Sequence, residues 1–178
     1  MNAKVYTYFI CLVGALGGLL FGYDWVVIGG AKPFYEAYFG IADSASNQGL
    51  AMTIALIGCM VGAMTVGWLA DRIGRKKLLT ISSIIFLVSS LATGAVSTFD
   101  TFLVARFFGG MGIGLASGLS PMYIAEVAPA DIRGRMVSLN QMMIVLGILA
   151  AQIVNWLIAQ PMPAGITEEA IAATWNGQ

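Results

Sequence analysis

The stretch that decides the fold runs from Asn47 to Ser97. It reads NQGLAMTIALIGCMVGAMTVGWLA (Asn47–Ala70), then DRIGRKK (Asp71–Lys77), then LLTISSIIFLVSSLATGAVS (Leu78–Ser97). A helix needs about 20 mainly apolar residues to cross a bilayer. Two such segments here flank a short, densely charged break, so they read as two spans joined by a tight turn at one membrane face. Working outward, three more apolar stretches of spanning length appear: Val5–Gly30 upstream, and Thr101–Val127 and Met136–Gln160 downstream.

Composition agrees. The 178 residues are 58 % hydrophobic and 10 % charged, with a mean hydropathy of +0.84. A soluble domain runs at about 45–50 % apolar and about 25 % charged. Nine Lys+Arg balance nine Asp+Glu, which removes a bulk-charge case for nucleic acid. The absence of histidine excludes a Ser-His-Asp triad and any His-ligated metal. No nucleophile–base pair or metal cluster can be assembled, so neither an enzyme nor a cofactor is expected. Cys11 and Cys59 lie alone in apolar stretches and read as small buried hydrophobes. Lys4 before the first apolar run resembles the start of a signal peptide, but the run is too long for one and four spans follow it. The expectation is an all-α, multi-pass membrane protein of about five spans.

Orientation follows from the cations in the short connections. With the N-terminus inside, the inner face carries Lys4, Arg72, Arg75, Lys76, Lys77, Arg133 and Arg135, and the outer face only Lys32. The N-terminus is therefore expected in the cytoplasm and the tail 161–178 outside. Ala31–Ser46 is expected as an outer loop. The few residues at Thr98–Asp100 force the third and fourth spans to be antiparallel neighbours.

Polar groups inside spans mark function or close packing. Asp24 lies late in the first span and Arg106 early in the fourth, each roughly 8 Å from the outer end at ~1.5 Å per residue. Opposite charges at matched depth read either as a fixed or snorkelling ion pair, or as a proton site in which Arg106 moves away and Asp24 is protonated from outside. In the fifth span Gln141, Gln152 and Asn155 fall within about 40° of one direction. Such a stripe glues helices together or lines a cavity that hydrogen-bonds a polyhydroxyl solute. Asn140 points elsewhere, at the inner end. The four-residue glycine repeats Gly18–Gly22, Gly58–Gly62 and Gly110–Gly114–Gly118 read as close helix packing. Phe21, one turn before Asp24, is a candidate lining residue.

The charged break resembles a known signature. Gly67-Trp68-Leu69-Ala70-Asp71-Arg72-Ile73-Gly74-Arg75-Lys76-Lys77-Leu78-Leu79 is similar to the cytoplasmic loop motif of the major facilitator superfamily. The sugar porter branch is indicated by Arg106-Phe107-Phe108-Gly109-Gly110-Met111-Gly112-Ile113-Gly114, then Pro121-Met122-Tyr123-Ile124-Ala125-Glu126-Val127-Ala128-Pro129, then Arg133-Gly134-Arg135. Phe21-Gly22-Tyr23-Asp24 and Asn140-Gln141 with Gly147-Ile148 resemble that branch too.

The resemblance implies that residues 1–178 form an incomplete N-terminal six-helix domain, without the sixth span or the C-terminal half. It implies that Gln141 bonds sugar hydroxyls, that Phe21 lines the pocket, and that Asp24 carries the coupled proton with Arg106 as partner. Asp71, Arg75, Glu126 and Arg133 match an inner charge network that latches the outward-open state. At Ile148 some bacterial relatives carry a second glutamine. Gln152 and Asn155 join the substrate candidates through their stripe. The implied function is proton-coupled transport of a monosaccharide of the xylose, glucose, galactose or arabinose class, across an inner or plasma membrane, by alternating access. The rivals are a facilitative sugar or polyol carrier and a truncated, non-transporting membrane protein. The implied partners are sugar, proton and the lipid bilayer, with the missing half or another copy needed to cover the exposed faces.

Overall fold

The computed structural model describes residues 3–159. They form α1 (Ala3–Phe39), α2 (Ala45–Ile73), α3 (Arg75–Ala95), α4 (Phe99–Val127) and α5 (Arg133–Ala159). All five are long and apolar enough to cross a membrane. The expected tail 161–178 lies outside the described residues.

The first helix departs most from expectation. Ala31–Phe39, expected as part of an outer loop, continues α1 and leaves only a short connection to α2. Pro33 sits inside this helix, where its ring removes one backbone donor from the ladder. Tertiary packing outweighs that loss. Tyr35 and Phe102 are fully buried, with ring centroids 5.5 Å apart, and Phe39 lies 5.3 Å from Phe102. The aromatic cluster holds the end of α1 against the start of α4. Gly40 (φ 63°) then reverses the chain, and the Ile41 amide donates to the Glu36 carbonyl at 3.0 Å. A helix of 37 residues is about 55 Å long, well beyond a hydrocarbon core of about 30 Å.

The fourth helix is the hub. It packs against each of the other four, while α2 with α4 and α1 with α5 form the two longest seams. Both seams are made by glycine. A Cβ at Gly58 or Gly62 would collide with the Phe107 or Met111 carbonyl, and one at Gly110 or Gly114 with the Ala55 or Cys59 carbonyl. The α1–α5 seam repeats the device, with Gly22 against Ile144 and Gly147 against Leu19. Without a hydrophobic driving force between helices in lipid, such close backbone approach supplies the van der Waals contact that holds a bundle. Most large apolar side chains on the other faces are exposed, Met64, Leu91 and Val88 among them, as suits contact with lipid tails or further helices.

The α2–α3 turn depends on a single backbone geometry. Gly74 has φ 89° and ψ 143°, and its amide caps α2 by donating to the Ala70 carbonyl. This region is nearly closed to residues with a Cβ, at a cost of about 1–3 kcal/mol. Gly74→Ala is expected to lower stability by that amount in thermal unfolding of the purified protein. An unchanged melting temperature would show that the turn relaxes into another shape.

Candidate functional site

Asp24 on α1 and Arg106 on α4 meet inside the bundle. Arg106 Nη1 donates to Asp24 Oδ1 at 2.9 Å and Nη2 to Oδ2 at 3.3 Å, a two-pronged bridge. The side chains are 9 % and 14 % exposed. Arg106 Nε is buried without a hydrogen-bond partner. Neither charge snorkels to the surface: each neutralises the other at depth. Gly110, one turn beyond Arg106, packs α4 against Ala55 of α2, while α1 meets α4 closely further along, where a Cβ at Gly17 would collide with Ser120.

The pair opens on a cleft, a cavity of about 340 Å³ lined by Phe21, Asp24, Trp25, Met52, Cys59 and Arg106, among others. Its walls are mainly apolar, with the ion pair as the charged feature. The volume is at the small end of ligand pockets. Of the lining residues, Met52 is tied to the buried Tyr35, whose hydroxyl donates to Met52 Sδ at 3.2 Å. Phe21 thus shares a pocket with the pair. Met52 was not singled out from the sequence, and Cys59, read there as a small buried hydrophobe, is only partly buried and lines this cavity. Their seven-residue spacing on α2, with Ala55 and Leu56 between, is the helical pattern that places them on one face.

The amide stripe divides. Asn155 Nδ2 donates to the Val26 carbonyl at 3.1 Å and packs on Gly30, so this residue clamps α5 to α1. Gln141 and Gln152 lie exposed on α5, outside the cleft that holds Asp24 and Phe21. The three amides share a direction along the helix, yet a 40° drift is enough to turn one into the seam and leave two outside it. Asn140, set aside from the stripe, is buried against Gly18, and its Oδ1 has no partner.

At the opposite end of the bundle Arg75 is the centre of a second charge group. It bonds Asp71 at 3.0 Å and Glu126 at 2.8 Å, and donates to the Ala70 carbonyl at 3.2 Å. One guanidinium thereby ties the α2–α3 turn to the end of α4. Arg133 is not brought into this group. Its Nε donates to the Ala128 carbonyl at 3.4 Å, and it makes no ion pair among the described residues. Pro129 and the turn at Asp131 separate α5 from the Arg75 bridge.

The comparisons with known proteins fit this architecture. Residues 10–174 match the family described as sugar (and other) transporter. The chain is 44 % identical over 153 residues to a D-xylose transporter of Levilactobacillus brevis, covering 86 % of this chain and 33 % of that protein. It is 41 % identical to a galactose-proton symporter of Escherichia coli K12, covering 83 % of this chain and 32 % of the relative. In solved structures it matches XylE of E. coli, a proton:xylose symporter of the major facilitator superfamily bound to 6-bromo-6-deoxy-D-glucose. That match has a TM-score of 0.84 and 35 % identity, over 98 % of this chain and 43 % of that one. The chain thus spans about a third of the length of the curated relatives it matches. With five membrane-length helices, a family match over residues 10–174 and a close structural likeness to the XylE symporter, the chain belongs to the sugar transporter family of the major facilitator superfamily.

Proposed function

We propose that this chain is the proton-binding N-terminal part of a monosaccharide–proton symporter, with its N-terminus in the cytoplasm of a cell that carries it in the inner or plasma membrane. The observation that carries the reading is the two-pronged Asp24–Arg106 bridge open to a cleft. A proton arriving at Asp24 cancels the carboxylate charge and releases the guanidinium. The helices that the pair ties, α1 and α4, are then free to change their relation. Sugar and proton drive the cycle only if each binds one state of the carrier better than the other. Phe21 supplies an apolar wall beside the pair. The exposed amides of Gln141 and Gln152 offer donors and acceptors for hydroxyls on a face that a second half would cover. Asn155 is better explained as a helix clamp. The Asp71–Arg75–Glu126 bridge serves as the inner latch, and Arg133 reaches it only after the α4–α5 connection moves.

Uptake of labelled xylose, glucose, galactose and arabinose tests this. Proteoliposomes would carry the chain alone, or the chain with the C-terminal half of the L. brevis relative. Accumulation above equilibrium is expected only with an inward proton gradient, and Asp24→Asn is expected to abolish it while sparing sugar exchange. Gradient-driven accumulation in Asp24→Asn removes the proton role. Uptake that equilibrates without a response to the gradient makes the chain part of a facilitator.

A further inference from the structure

Asn140 has no part in the transport reading, yet it is buried between α5 and α1. It is 7 % exposed, and its Oδ1 has no hydrogen-bond partner among the described residues. An orphan amide oxygen between helices costs stability, and an apolar residue of the same shape avoids that cost. The α1–α5 seam supplies a reason for keeping it.

That seam runs on a glycine rail. Gly14, Gly18 and Gly22 stand four residues apart on α1, so one helical turn of slip lays a contact made on one glycine over another. In the observed register a Cβ at Gly22 would strike the Ile144 backbone, and one at Gly147 the Leu19 carbonyl. If α5 slipped one turn toward the start of α1, Ile144 would come to Gly18 and Gly147 to Ala15. Both residues are small enough to accept the shift. Asn140 is not. It rests on Gly18, where a Cβ would come within 2.7 Å of its Oδ1 and of its backbone oxygen. One turn away it would stand at Gly14, where a Cβ would find side-chain carbons of Ile124 and Tyr123 at 3.3 Å. An amide pressed among those carbons is worse placed than one lying on a glycine backbone. At the far end of the seam Asn155 holds the Val26 carbonyl. A single buried asparagine fixes register in coiled coils in the same way, at a cost in stability.

We propose that Asn140 is a positioning residue: it indexes α5 on α1 and thereby fixes the place of Gln141, the next residue, for the sugar. The assignment rests on the reading of Gln141 as a sugar contact. Asn140, buried against α1, acts through its neighbour.

Sugar uptake by the chain with the C-terminal half of the L. brevis relative tests it. The variants are Asn140→Leu, Asn140→Ala, Gln141→Ala and the two double changes. Each Asn140 change is expected to raise KM about two- to tenfold, the worth of one hydrogen bond, with kcat unchanged. With Gln141→Ala already present, neither is expected to raise KM further, the non-additive result of two residues acting as one. Asn140→Leu keeps the branched shape without the orphan oxygen and is expected to melt no lower than wild type. Fully additive effects in the double variants overturn the proposal, as does an unchanged KM in both Asn140 variants. A kcat that falls in step with the melting temperature makes Asn140 an ordinary packing contact and overturns it too. If Gln141→Ala leaves KM unchanged, the sugar contact falls and the proposal with it, while gradient-driven uptake by the unaltered protein still upholds the transport reading.

Discussion

Arg106→Ala is expected to destabilise the five-helix bundle by about 3–5 kcal/mol, the usual cost of removing one partner from a buried ion pair. The guanidinium is held by two hydrogen bonds to Asp24 and is among the few charged groups buried between helices. Removing it leaves a carboxylate in a cleft whose walls are mainly apolar. Arg106→Lys is expected to recover only part of the loss, because an ammonium is a point charge and cannot match both oxygens at once. The double change Asp24→Asn with Arg106→Gln removes both charges and keeps hydrogen-bonding capacity. It is expected to be less harmful than Arg106→Ala alone, and that ordering separates charge isolation from lost volume. Thermal unfolding of the purified protein, followed by loss of monodispersity, gives the comparison. A loss below about 1 kcal/mol, typical of solvated pairs, would mean that water reaches the pair freely.

Gly110→Val is expected to have an effect of the same size or larger, through packing alone. The Cβ would meet the carbonyl oxygen, carbon and Cα of Ala55, which are backbone atoms that no rotamer change can move. The α2–α4 seam has to open along its length, and with it Gly58, Gly62 and Gly114 lose their close approach. Losses above about 4 kcal/mol belong to such cases of forced overpacking. Gly29 supplies the control, since nothing lies within 4 Å of a Cβ built there. Gly29→Ala is expected to change stability by no more than about 0.5 kcal/mol, as for a surface substitution. The pair of variants checks that tight glycines, and not glycines in general, hold the bundle. Folded yield after extraction and the melting temperature report both.

Residues whose meaning is local were legible in the chain itself. Hydropathy over some twenty residues is a property of a window, so the existence of five spans follows from composition along the sequence. The charged break at Asp71–Lys77 follows in the same way. The depth of Asp24 and Arg106 was legible too, because helical rise converts sequence distance into depth, and opposite charges at one depth in a low-dielectric medium find each other. Helix ends were harder to read. Ala31–Phe39 carries a proline, which disfavours a helix interior, and a lysine and a glutamate, which disfavour a membrane span. It is helical because Tyr35 and Phe39 gain an aromatic cluster with Phe99 and Phe102, residues some sixty positions away.

The sequence by itself determined the membrane class, the five span-length stretches, the family resemblance and the matched depth of Asp24 and Arg106. Tertiary structure alone decided which way each side chain faces. Gln141, Gln152 and Asn155 share one stripe, but only the position of α1 decided that Asn155 binds the Val26 carbonyl while the two glutamines stay outside the seam. The same holds at the α2–α3 end of the bundle, where Arg75 bonds both Asp71 and Glu126 while Arg133 stays on a backbone carbonyl. Depth is set by the bilayer and is written along one helix. Azimuth is set by a neighbour, and a neighbour is brought into place only by packing.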